Sequence, residues 1–153
     1  MTHTRLPDRS LAPADVRPKA YQRWARHLAH RILGQISQGE RGTKLYRLDS
    51  EHSGRENVLT LIEKRDDLAL PTAADLSPDG RRLAVLTAAS LWIFTKPSEG
   101  DGWLTGAARR IDLPREKTKQ AEAVSWDDDE NLRVANEQRE IYTVPLKAIP
   151  EVE

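Results

Sequence analysis

By type and spacing, two lone acids and one acidic run are the side chains of this chain best suited to chemistry. Asp75 lies in TAADLS and Glu122 in QAEAVS, two stretches at equivalent places in a sequence repeat, with the acids one position apart when the copies are aligned. Carboxylates that a repeat brings toward one axis can bind a cation, or share protons as a general acid and base. The plainer reading is that each acid accepts a neighbouring backbone N–H or faces water. Asp127, Asp128 and Asp129, followed by Glu130, could surround a calcium ion with oxygens. The alternating spacing and the glycine of a calcium loop are absent, so a solvated turn is the stronger reading. His27 and His30 are three residues apart, but no carboxylate follows at a spacing that completes a familiar metal site. Calcium is therefore the one cofactor suggested, and the sequence otherwise calls for none.

Other chemistries lack their residues. There is no cysteine, which removes disulfides, thiolate metal sites and a thiol nucleophile. No G-x-S-x-G elbow and no G-x-x-x-x-G-K phosphate loop occurs. Gly100-Asp101-Gly102 lacks the strand–turn–helix setting of a dinucleotide site. Trp103 and Trp126 are candidates for packing between units, but both lie in loop or turn contexts, so one of them is equally a candidate exposed contact. The basic side chains Arg23, Arg26 and Arg31 near the N-terminus are further contact candidates.

The elements that must position these residues come from a repeat. The stretch TAADLSPDGRRLAVLTAASLWIFTKP (72–97) returns as QAEAVSWDDDENLRVANEQREIYTVP (120–145), an offset of 48 residues. The same step back from Phe94 lands on Tyr46, in KLYRLD. Short strands and turns repeating at this length are what a propeller blade looks like in sequence. We read KLYRLD and VLTLIEK as the two outer strands of an incomplete first unit. Residues 72–114 form a complete four-stranded unit, and residues 120–146 form three strands of another. SPDG, Ser77 to Gly80, carries Pro, Asp and Gly where a type I turn prefers them. Its counterpart SWDDDEN has no glycine, so Asp128 or Asp129 is expected in a left-handed conformation.

The N-terminal part differs. Residues 1–17 carry two prolines and no apolar periodicity, and are read as a disordered arm. Residues 18–42 are read as an amphipathic helix and linker, with Trp24, Leu28, Ile32 and Ile36 recurring every four residues. The β domain is placed at 43–149. Residues 1–47 hold ten Lys/Arg against three Asp/Glu, whereas formal net charge over the whole chain is zero. Such a basic segment suits nucleic acid or an anionic membrane, or else folds onto its own acidic domain. No second helix completes a helix-turn-helix, so no clear nucleic-acid partner emerges. No apolar run nears the roughly 20 residues of a transmembrane helix, and no signal-peptide core follows the first charges. The expected address is the cytoplasm, unless the sequence is an excised domain.

With LSPDGRRLAVLT followed by LWIFTK, and VSWDDDENLRVAN followed by IYTVPL, the repeat resembles the S-P-D-G class of bacterial propeller repeats. These include the Tol-associated periplasmic propeller and, more distantly, WD-like propellers. A weaker likeness is to esterase-like phytase propellers. The resemblance covers roughly residues 43–146. It implies a mainly β fold, a partial β-propeller of about two to three four-stranded antiparallel blades, with Asp75 and Glu122 on inner strands that line a channel. Closed propellers have four to eight blades, which a chain with a period of 48 residues cannot supply. Capping by the N-terminal helix, association of several chains and a piece of a longer propeller each answer that shortfall.

The expected function is a non-enzymatic interaction or self-assembling module, with a protein partner or self-association. A hydrolase-type enzyme whose channel site is completed by oligomerisation is the alternative. Nucleic-acid or anionic-membrane binding through the basic helix is a third reading.

Overall fold

The computed structural model describes residues 42–48, 54, 56 and 58–152. The arm expected at 1–17 and the helix at 18–38 lie outside the described residues, as do His27, His30, Arg23, Arg26 and Arg31.

Among the described residues nine strands form three antiparallel sheets. Strands β1 (Thr43–Leu48) and β2 (Leu59–Arg65) make the first. Strands β3 (Pro71–Leu76), β4 (Arg82–Thr87), β5 (Ser90–Thr95) and β6 (Ala108–Asp112) make the second, in sequential order. Strands β7 (Ala121–Trp126), β8 (Asn131–Asn136) and β9 (Ile141–Pro145) make the third. A single helical turn, α1 (Arg115–Thr118), links β6 to β7, and a 3-10 turn, Leu146–Ala148, follows β9. Among the described residues no sheet closes on itself. The grouping into two, four and three strands is the one read from the repeat.

The second sheet lies between the other two because its central strands are apolar on both faces. Side chains along a strand alternate between faces. Leu83, Val85, Trp92 and Phe94 join Leu45, Leu68, Leu76, Trp103 and Leu104 in a cluster shared with the first sheet. The alternate residues Ala84, Leu86, Leu91 and Ile93 pack with Val124, Trp126, Leu132 and Val134 of the third sheet. A strand buried on both faces reads as a continuous apolar run, and SLWIFT and LAVLT are such runs.

Equivalent strands of neighbouring sheets sit side by side. The Thr72 hydroxyl donates to the Ala121 carbonyl at 3.1 Å, and the Asp79 N–H donates to Asp129 Oδ1 at 3.0 Å. Each of these pairs is about one repeat apart in sequence, so the third sheet stacks on the second in matching register.

The SPDG turn closes as its residues require. The Gly80 N–H donates to the Ser77 carbonyl at 2.8 Å, and Gly80 has φ +69°. The Ser77 hydroxyl donates to Asp79 and accepts the Arg82 N–H. The acidic counterpart turn works differently, which corrects the expectation for Asp128 and Asp129. Neither has positive φ. Instead Asp128 Oδ1 accepts the N–H groups of Glu130 and Asn131, at 2.8 and 2.7 Å, and the side chain closes the turn that glycine closes elsewhere. The left-handed residue of this repeat is Arg139, φ 64°, in the β8–β9 turn.

The stretch after β9 packs back onto the second sheet. The chain leaves the third sheet after Pro145, seats Ile149 fully buried between the second and third sheets, and runs along β6. The Arg110 N–H donates to the Pro150 carbonyl and the Val152 N–H to the Ala108 carbonyl, both at 2.9 Å. Contacts with the second sheet therefore continue through Val152.

Two carboxylates built into these turns predict an acid-sensitive fold. Arg65 donates to Asp67 through Nε and Nη2, at 2.7 and 3.0 Å, and this holds the Asp67 carboxyl below its ordinary value. Burial pushes the Asp79 carboxyl up, but hydrogen bonds from Ser77 and the Arg81 N–H, with Arg82 nearby, outweigh it and leave the group lowered. A carboxylate with a depressed folded pKa adds stability above its unfolded value, about 3.9, and that stability is lost as pH falls through the folded value. Urea midpoints should hold between pH 7 and 5 and fall below about pH 4. Asp79→Asn should make that fall shallower. An unchanged midpoint at pH 3 would refute this account.

Candidate functional site

Most of the described residues singled out from sequence fall along the seam between β3 and β7 and at the turns that end it. Asp75 sits half-buried on β3, because the alternation that sends Leu76 into the core turns Asp75 toward the neighbouring strand. Its carboxylate accepts the Trp126 N–H through Oδ2 at 2.8 Å, and its carbonyl accepts Trp126 Nε1 at 3.3 Å. Glu122 lies exposed on β7. A bulge between Ala121 and Ala123 breaks the alternation there, so the one-position offset from Asp75 read in sequence coincides with a shift of register.

Trp103 and Trp126, read either as packing residues or as an exposed contact, are both inside the protein, with relative exposures of 6% and 0%. Trp126 ends β7 in phase with Val124 and so faces the second sheet. Trp103 belongs to the β5–β6 loop, which folds down over the cluster between the first and second sheets. The sequence places both near turns, but which way those turns face depends on packing across sheets.

The three aspartates of the acidic run take three different partners. Asp127 pairs with Arg133 at 2.8 Å, Asp128 closes its own turn, and Asp129 accepts the Asp79 N–H while its carbonyl accepts Arg82 Nη1 at 3.1 Å. Among the described residues no three acids or histidines gather as ligands around one point.

Two side chains that sequence reading passed over, Glu63 and Arg65 on β2, hold the β5–β6 loop in place. The Glu63 carboxylate accepts the Leu104 N–H at 2.8 Å and the Thr105 hydroxyl at 2.7 Å. Arg65 Nη1 donates to the Leu104 carbonyl. The Arg65 guanidinium also lies 4.8 Å from the Trp92 ring centroid and 5.3 Å from that of Phe94, within cation–π range. Nothing in VLTLIEKR marks them out, since an acid and a base near a strand end ordinarily read as solvated.

No helix among the described residues is long and apolar enough to cross a membrane. No protein-family model, curated protein or solved structure matches this chain.

Proposed function

We propose that this chain is a non-enzymatic interaction module, a partial propeller-like stack of sheets that binds a protein partner or a second copy of itself. The observation that carries this reading is the difference between the sheets. The central sheet is covered on both faces, whereas each flanking sheet has one described neighbour and the third sheet is one strand short of the second. Stacked repeats bury their apolar surface only against neighbours, so the ends of such a stack are where further contacts form. Leu61, on β2 of the first sheet, is 52% exposed, and Ile141, on β9 of the third, is 55% exposed.

The fate of Asp75 supports a structural role over a catalytic one. Its carboxylate already accepts a backbone N–H across the seam, and among the described residues Glu122 belongs to no group of three or more acids or histidines. A channel site of the hydrolase type would have to be assembled from these same acids.

The test is the mass of the full chain in solution, by light scattering over a tenfold concentration range. A mass rising from one chain toward two or more is expected. A constant single-chain mass, with no protein recovered by crosslinking to the purified chain, would remove the reading.

A further inference from the structure

The edge of β9 that no described strand pairs with has the composition of a central strand. Edge strands are ordinarily blunted by charges, and the other edge strands here carry them: Lys44 and Arg47 on β1, Lys64 on β2, Asp75 on β3, Arg109 and Arg110 on β6, Glu122 on β7. Strand β9, Ile141-Tyr142-Thr143-Val144-Pro145, carries none. By the repeat it corresponds to β5, which has β4 on one side and β6 on the other. In the third sheet the place equivalent to β6 has no strand among the described residues. The stretch that follows β9 is used elsewhere, since Ile149 fills the core and Pro150 and Val152 pair with β6.

The hydrogen-bond phase of β9 states what this edge offers. The Leu146 N–H donates to the Glu130 carbonyl at 2.7 Å, and the Glu140 carbonyl accepts the Asn136 N–H at 3.1 Å. Even-numbered residues therefore direct their backbone groups to β8, and Ile141, Thr143 and Pro145 direct theirs outward. Ile141 and Thr143 present both N–H and C=O, and Pro145 presents C=O alone.

We infer that β9 pairs antiparallel with β9 of a second copy of this chain, about a two-fold axis at Thr143, joining two three-stranded sheets into one. This rests on the self-association reading above and names its surface. In that register the two Thr143 residues exchange a reciprocal pair of backbone bonds, and each Ile141 N–H meets the second copy's Pro145 carbonyl. The missing N–H of Pro145 then falls at the ends of the ladder, where it ends the pairing instead of interrupting it. Thr143 lies opposite Thr143 and Ile141 opposite Pro145, so no like charges face each other. An isologous contact of this kind needs a self-complementary patch, and this edge is one. One strand pair buries less than the about 1,200 Å² typical of tight complexes, so the dimer is weak and concentration-dependent.

The experiment is sedimentation equilibrium on the full chain and two variants, Thr143→Pro and Ile141→Lys. Proline removes the outward N–H at the axis without touching the β8 ladder, and lysine places an edge-blunting charge on an exposed side chain. Each should weaken the dimer about tenfold or more, because the central bonds or the close approach are lost. If Thr143→Pro unfolds, Ile141→Lys carries the test. Wild-type association that both variants retain would overturn the β9 edge and leave self-association standing. A wild-type monomer across the range would overturn both.

Discussion

Trp126→Ala is expected to lower the unfolding free energy by about 3–5 kcal/mol, which is a large share of the roughly 5–15 kcal/mol that holds a typical domain. Trp126 is fully buried in the cluster between the second and third sheets, among Ala84, Leu86, Leu132 and Val134. Strands on both sides fix its surroundings, so the cavity left by alanine can collapse only in part. Its indole N–H also donates to the Asp75 carbonyl, a bond that alanine removes. The Asp75 carboxylate, by contrast, keeps its bond to the backbone N–H of residue 126. Asp75→Asn should therefore cost much less than the tryptophan change, about 0.5–2 kcal/mol, because an amide oxygen can still accept that N–H. Guanidinium unfolding of the two variants measures both quantities. A tryptophan variant that loses less than about 1 kcal/mol would mean that the third sheet is not seated on the second as described.

Phe94→Ala should cost a similar amount, about 3–5 kcal/mol, on the other face of the second sheet. Phe94 is fully buried, and its ring stacks on Trp92 with centroids 5.8 Å apart and planes 7° from parallel. Arg65 covers both rings, and Arg110 lies 5.1 Å from the Trp92 centroid. Phe94→Leu keeps most of the apolar volume and removes the ring. Its expected cost of about 1–2 kcal/mol isolates what stacking and the guanidinium contribute beyond burial. Arg65 also holds the Leu104 carbonyl, so Phe94→Ala should loosen the β5–β6 loop. Faster amide exchange at Leu104 and Thr105 would report it. If exchange there is unchanged, the loop is held without Arg65, by Glu63, by the Arg47–Asp101 pair and by the burial of Trp103 and Leu104.

The two substitutions strike opposite faces of one sheet, and that sheet is the part of the fold most legible in the sequence. LAVL and LWIF are apolar at every position that the pleat sends to either side, and period-2 alternation distributes them between two clusters. The nine strands and their grouping into sheets follow from the 48-residue repeat. So does the closing of the SPDG turn, which depends on a Gly and an Asp at fixed local positions. These are local or periodic properties, so a single chain read in order displays them.

The candidate site was legible in its residues and not in their partners. Asp75 and Trp126 stood out separately, one for chemistry and one for contact, yet they bond to each other across 51 residues of chain. The acidic run read more strongly as a solvated turn than as a shared calcium site. The separate partners of its three side chains, on a strand, in their own turn and in the neighbouring turn, were not legible.

Strand order, the doubly apolar centre and the bare, uncharged composition of β9 are therefore properties of the sequence itself, because backbone periodicity and turn chemistry act over a few residues. That Trp103 and Trp126 are buried, which acid accepts an N–H, where Ile149 seats and which edge has no described partner strand were decided only by the stacking of sheets. Those contacts join residues about a repeat apart in the chain, and no local pattern specifies which face of one unit meets which face of the next.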